Sequence, residues 1–173
     1  CARGRRRPPS ACSRRCAAPA SRSVRSLHRN EHTVEIDAPV ATVFPYLVES
    51  EKRLEWMGVL KESEQLTEGA PKVGSRWRDV FEDHGQRVEL EAELVEYEPN
   101  RRLRLRLGNR SFGSTSIQEL EEVEGRTRVS IVMETEYRTF AARLAGGLVT
   151  RHAQQQLEAD LARLAELLER RRG

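Results

Sequence analysis

From Val88 to Leu107 the chain alternates in character residue by residue. Val88, Leu90, Ala92 and Leu94 are interleaved with Glu89, Glu91 and Glu93; after Pro99-Asn100, Leu103, Leu105 and Leu107 are interleaved with Arg102, Arg104 and Arg106. Successive side chains of a strand point to opposite faces, so each segment has one apolar face and one charged face. The charged rows have opposite sign, and opposite charges facing each other across antiparallel strands attract. The pattern predicts a hairpin whose Glu and Arg rows meet on the solvent side and whose aliphatic rows share a core.

The same grammar extends in both directions. His32 to Asp37 alternates with Val34 and Ile36 on one face. Val59 to Leu66 and Val73 to Phe81 are strand-like, the second with Val73, Trp77 and Phe81 together, and Asp83-His84-Gly85 turns the chain. Ser111–Val123 and Arg126–Tyr137 form a last hairpin about Glu124-Gly125, with Val129, Ile131 and Met133 inward. Two helical segments interrupt the strands early. Pro39 opens the first, where Val40, Val43, Phe44 and Leu47 share a face and Pro45 kinks or shortens it. Ser50 to Trp56 is the second, with Leu54 and Trp56 inward and Gly58 at its end. From Arg138 to Arg172 the chain is helical, but Phe140, Leu144 and Leu148 lie about half a turn out of phase with Leu157, Leu161, Leu164 and Leu168. A kink near Gly146-Gly147 would let both stripes pack.

Charge separates the ends of the chain. The net charge is +3, yet residues 1–30 carry nine arginines and no acid, so residues 31–173 carry −6. An acidic body without clustered cations lacks the electrostatic footprint of a nucleic-acid binder. Mean hydropathy is −0.67, and no apolar run approaches the roughly 20 residues that cross a bilayer. Cys1, Cys12 and Cys16 all lie in the leading segment, and their spacing supplies no complete metal-ligand set, so no metal or cofactor is expected. Residues 1–30 read as a disordered Arg/Ser/Pro-rich tail: upstream or non-native sequence, a solvated tail, or a targeting segment whose helix Pro8, Pro9 and Pro19 would break. Without such targeting the expected location is the cytoplasm.

At the level of motifs the chain resembles a known family. Ile36-Asp37-Ala38-Pro39-Val40-Ala41-Thr42-Val43-Phe44, Glu55-Trp56 before Gly58, Val73-Gly74-Ser75-Arg76-Trp77 and Val95-Glu96-Tyr97-Glu98-Pro99-Asn100 look like the START-like SRPBCC superfamily, in its polyketide cyclase/dehydrase and lipid-transport branch. The resemblance covers roughly residues 32–170 and implies an α+β helix-grip fold over residues 31–173. In that fold a curved antiparallel sheet wraps a long C-terminal helix, with two short helices after the first strand. It also implies an internal cavity that in relatives holds lipids, sterols, quinones or polyketides. Catalytic residues vary among the enzymatic members, so the resemblance transfers none.

Candidate site residues follow from the pattern. Asp79, between Trp77 and Phe81, places a carboxylate on the apolar side of its strand, suited to general acid/base work, to reaching water at a bulge or edge, or to pairing with an arginine. His152, beyond the glycine pair, is placed either at a cavity mouth, where imidazole transfers protons near neutral pH, or in solvent; His84 reads as a turn residue. Trp56, Trp77, Phe81, Leu90, Leu105, Ile131, Met133, Leu144 and Leu148 are expected to line a cavity or to fill the core. Ser114, Ser116 and Gln118 would supply polar groups if their face is inward, against Thr115 and Ile117. The leading expectation is binding or transport of a hydrophobic small molecule. The alternatives are a polyketide cyclase or dehydratase using Asp79 or His152, and a protein-interaction module of the kind found in quinone handling or ribosome association.

Overall fold

The computed structural model describes residues 27–138 and 140–172, with side chains described for 27–138 and 151–172. The alternating segments become strands of one antiparallel sheet: β1 (Leu27–Ile36), β2 (Leu60–Gln65), β3 (Arg76–Asp83), β4 (Gln86–Glu98), β5 (Arg102–Gly108), β6 (Phe112–Val123) and β7 (Arg126–Tyr137). Strands β2 to β7 run as a meander, and β1 pairs with β7, so the order is β1-β7-β6-β5-β4-β3-β2. The helices α1 (Val40–Val43), α2 (Pro45–Val48) and α3 (Ser50–Trp56) lead the chain from β1 to β2 at the opposite edge, and α4 (Phe140–Arg172) follows β7. The curved sheet with its long C-terminal helix is the helix-grip arrangement expected.

Pro45 has no N–H for the carbonyl of Ala41, so α1 ends at Val43 and α2 restarts with the proline in its first turn. In α3 the inward pair is Arg53 and Trp56, whereas Leu54 is 38% exposed. The correction follows from helix period: residues two apart lie about 200° from one another, so Leu54 and Trp56 cannot share a face, while Arg53 and Trp56 can. β1 starts earlier than His32, inside the segment expected as tail, because Leu27 to Asn30 pair with Glu136 to Met133. Asn30 is buried and its amide donates to Gln154 Oε1 at 3.2 Å. Residues 1–26, with Cys1, Cys12 and Cys16, lie outside the described residues. Val73 is 60% exposed and precedes β3, which begins only after Gly74 turns the chain at φ 90°.

The charged rows do meet on the solvent side, with a shifted partnership. A bulge between Leu94 and Glu96 leaves Glu93 opposite Arg106 and Glu96 opposite Arg104. Glu91 and Glu89 turn instead to β3, pairing with Arg76 and, at 3.7 Å, with Arg78. These exposed pairs are each worth about 0–1 kcal/mol and act mainly to favour one register. α4 runs as one helix from Phe140 to Arg172, through Gly146-Gly147. Leu144 and Leu148 lie outside the residues whose side chains are described.

The core lies between the concave sheet face and the helices. Leu157, Leu161, Leu164 and Leu168 of α4 meet Leu94, Leu103, Leu105, Val129 and Ile131 from the sheet and Val43, Phe44 and Leu47 from the short helices. Each fully buried leucine contributes roughly 1.5–3 kcal/mol by removal from water. Thr127 Oγ1, fully buried, donates to Ala38 O at 2.7 Å and ties the base of β7 to the entry of α1.

Candidate functional site

Between the helices and the concave face of the sheet the space is not completely filled. A cavity of about 190 Å³ remains between α3, α4 and strands β3, β5, β6 and β7. Its apolar wall comes from Leu47, Trp56, Met57, Val59, Phe81, Leu105, Leu107, Ile131, Met133 and Leu157, and its polar groups are Arg53, Ser116, Gln118, Gln156 and Asp160. Ala153, exposed on α4, also borders it and marks its opening. A larger groove of about 430 Å³ lies by Glu98, Arg101, Arg102, Glu119 and Arg128, but its lining is dominated by mutually paired charges. The cavity under α4 has the mainly apolar lining that a small-molecule site requires.

Arg53 is the deepest charge in that wall. α3 turns it inward beside Trp56, and Nη2 donates to Asp79 Oδ2 at 2.6 Å while Nη1 reaches Oδ1 at 3.3 Å. Ser63 Oγ of β2 donates to the same Oδ1 at 2.7 Å. Both partners are almost fully buried, at 4% and 0% side-chain exposure, so the charges neutralise one another where water cannot. Asp79 therefore lies behind Arg53 rather than in the cavity lining.

Ser114, Ser116 and Gln118 are all buried, which resolves the face of β6 in their favour over Thr115 and Ile117. Gln118 Nε2 donates to Ser116 Oγ at 3.1 Å, and Gln118 Oε1 is buried without a partner among the described residues. Ser114 is engaged by Thr135 at 3.0 Å.

Asp160 closes the opposite wall. Its Oδ1 accepts from Gly58 N at 2.8 Å, Gln156 Nε2 at 2.9 Å and Arg163 Nη1 at 3.1 Å. Burial pushes its carboxyl above the usual 3.8, and these three donors offset part of that effect. Arg163 also donates to Trp56 O at 2.9 Å, and Trp56 Nε1 donates to Tyr46 O at 2.8 Å, so the indole is locked in place.

Trp56, Phe81, Leu105, Ser116, Gln118, Ile131 and Met133 thus border the cavity, and Trp77, Leu90, Asp79 and His152 do not. Trp77 stands opposite Ala92 in the β3–β4 pair and both are fully buried. Leu90 is buried opposite Asp79. His152 is half-buried on α4, with Nε2 2.6 Å from Asp83 Oδ2 at the β3–β4 turn. Sequence reasoning missed Arg53, Gln156 and Asp160. The signal for Arg53 was its spacing of three from Trp56; Asp160 is one residue from Leu161 and three from Leu157, within reach of the buried stripe.

A family model described as polyketide cyclase / dehydrase and lipid transport matches residues 28–169. No curated protein matches. Among solved structures, TTHA0849 from Thermus thermophilus is 19% identical, with a TM-score of 0.71 over 84% of this chain and 99% of that one. A START superfamily protein from Mycobacterium smegmatis is 18% identical, with a TM-score of 0.70 over 83% and 98% of the two chains. The di-domain ARO/CYC StfQ of the steffimycin biosynthetic pathway is 12% identical, with a TM-score of 0.70 over 85% of this chain and 52% of that one. At these identities the likeness is one of fold.

Proposed function

The chain belongs to the polyketide cyclase/dehydrase and lipid-transport family, and on that premise we propose that it binds and carries one small, mainly apolar molecule in the cavity under α4. The observation that carries this reading is the closed pairing of the deepest polar groups. Arg53 is held by Asp79, and Asp160 by Gly58, Gln156 and Arg163, so the wall offers shape and apolar contact more than a free acid or base. Gln118, with an unpartnered Oε1, supports recognition of one hydroxyl or N–H on the guest. A volume of about 190 Å³ is below the roughly 300–1,000 Å³ of drug-sized pockets. It suits a compact ring system; a long-chain lipid would need the flexible Met57 and Met133 to repack.

The test is titration with N-phenyl-1-naphthylamine, an apolar probe with one N–H. Fluorescence is expected to saturate at one probe per chain. Ala153→Trp, which adds bulk at the opening on an exposed position, should abolish the signal without lowering Tm. Equal binding by that variant would place the probe elsewhere and sink the reading.

One observation favours the cyclase or dehydratase alternative. Asp160 borders the cavity with its carboxyl raised by burial, the property a general acid/base needs. In that reading Asp160 takes the part first considered for Asp79 and His152. Asp160→Asn should then cost about 10²–10⁴ in turnover of a poly-β-ketone substrate, with probe affinity retained.

A further inference from the structure

The β3–β4 turn and α4 bring three metal-binding side chains together. Asp83 closes β3, His84 is the first residue of the two-residue turn, and His152 arrives from α4, far away in sequence. One ligand atom from each lies within 4.8 Å of the others. His152 Nε2 is 2.6 Å from Asp83 Oδ2, His84 Nε2 is 3.7 Å from Asp83 Oδ1, and the imidazole centroids are 5.2 Å apart. None of the three takes part in the cavity lining.

The geometry points to a binding site for a divalent transition metal, Zn²⁺ in the first instance, formed by Asp83, His84 and His152. Two imidazoles and one carboxylate are a borderline donor set, suited to zinc and its neighbours rather than to the all-oxygen shells of calcium or magnesium. Tetrahedral zinc at 2.0–2.1 Å from each ligand needs donor atoms about 3.3 Å apart. The present spacings, none above 4.8 Å, bracket that value, and rotation of the exposed His84 side chain about its χ angles would bring the set together. The backbone is already set. His84 at φ 47° and Gly85 at φ 77° make the left-handed turn of a tight hairpin, and His152 sits on a helix. Three protein ligands leave one coordination position open to water or another donor.

The position gives the ion a structural consequence. Phe81 on β3 and Ala153 on α4 border the cavity, each within two residues of a ligand. A metal here would clip the β3–β4 hairpin to the helix beside the cavity opening.

The experiment is calorimetric titration of the full chain with ZnCl₂ after alkylation of its three cysteines, which removes competing thiolates. A saturable site of one zinc per chain is expected, with Tm rising as zinc is added. His84→Ala and His152→Ala should each weaken that site by more than the about 10–100-fold that even an outer-shell partner is worth. They should also remove the zinc-dependent rise in Tm. His32→Ala, on β1, should change neither. Absence of a saturable site, or zinc binding and Tm response equal in wild type and both turn-and-helix variants, overturns the assignment. His84 is 81% exposed at the turn and His152 43% exposed on α4, both outside the core, and circular dichroism of each variant without zinc checks that its fold is intact.

Discussion

Arg53 and Asp79 are each costly alone and balanced together. Removing one partner of a buried pair leaves an uncompensated charge, so Asp79→Leu should lower unfolding free energy by about 3–5 kcal/mol. Urea denaturation of Asp79→Leu alone and of the double variant Arg53→Met/Asp79→Leu checks this, because the double variant should recover most of the loss. The outcome also bears on how the site was read: Asp79 was visible in the sequence as a carboxylate between Trp77 and Phe81, but its partner sits on a helix 26 residues away. No local pattern joins them. Asp160 gives a pH signature of its own. Its carboxyl is raised above 3.8 chiefly by burial. Such a group adds stability below its unfolded value and loses that contribution as pH rises through the folded value. Asp160→Asn does not titrate, so wild type should gain Tm relative to the variant as pH falls from neutral to below 3.8. A difference in Tm that stays flat with pH would show that Asp160 carries no such burial cost.

At the scale of elements, joints matter more than the elements themselves. β7 is an ordinary alternating strand, yet Thr127 uses its hydroxyl to bind Ala38 O ahead of α1. Thr127→Val keeps the shape and strand propensity but leaves that buried carbonyl unpaired. A loss of about 1–3 kcal/mol in chemical denaturation is expected, with little change in the strand content seen by circular dichroism. The periodicities made most elements legible: the bounds of α3 and β7 agree with those read from Ser50–Trp56 and Arg126–Tyr137. Pairing was less so. The arginine row of β5 ends at Arg106 and Glu91 falls opposite Gly108, so Glu91 and Glu89 pair with β3 instead; the glutamates of the row are chemically equivalent and only the register distinguishes their neighbours.

For the whole molecule, the closing contact is β1 against β7 and α4. Residues 1–26 combine arginine, serine and proline with few large apolar side chains, so their removal should leave Tm nearly unchanged. Removal through Glu31 should destabilise markedly, since it strips Asn30 and Glu31 from Gln154 of α4 along with half of the β1–β7 ladder. Thermal denaturation of the two truncations separates the strand from what precedes it. Alternation, proline placement and the C-terminal leucine stripe were enough to establish the order of elements and which strand faces are apolar, because burial of a strand or helix face is written in a period of two or 3.6 residues. The same periods could not say that Arg53 meets Asp79, that Trp77 stands opposite Ala92, or that His152 reaches Asp83 and His84. Those contacts depend on the curl of the sheet and on the angle at which α4 crosses it. A period reports which way a side chain points, and only the packed chain decides what stands opposite.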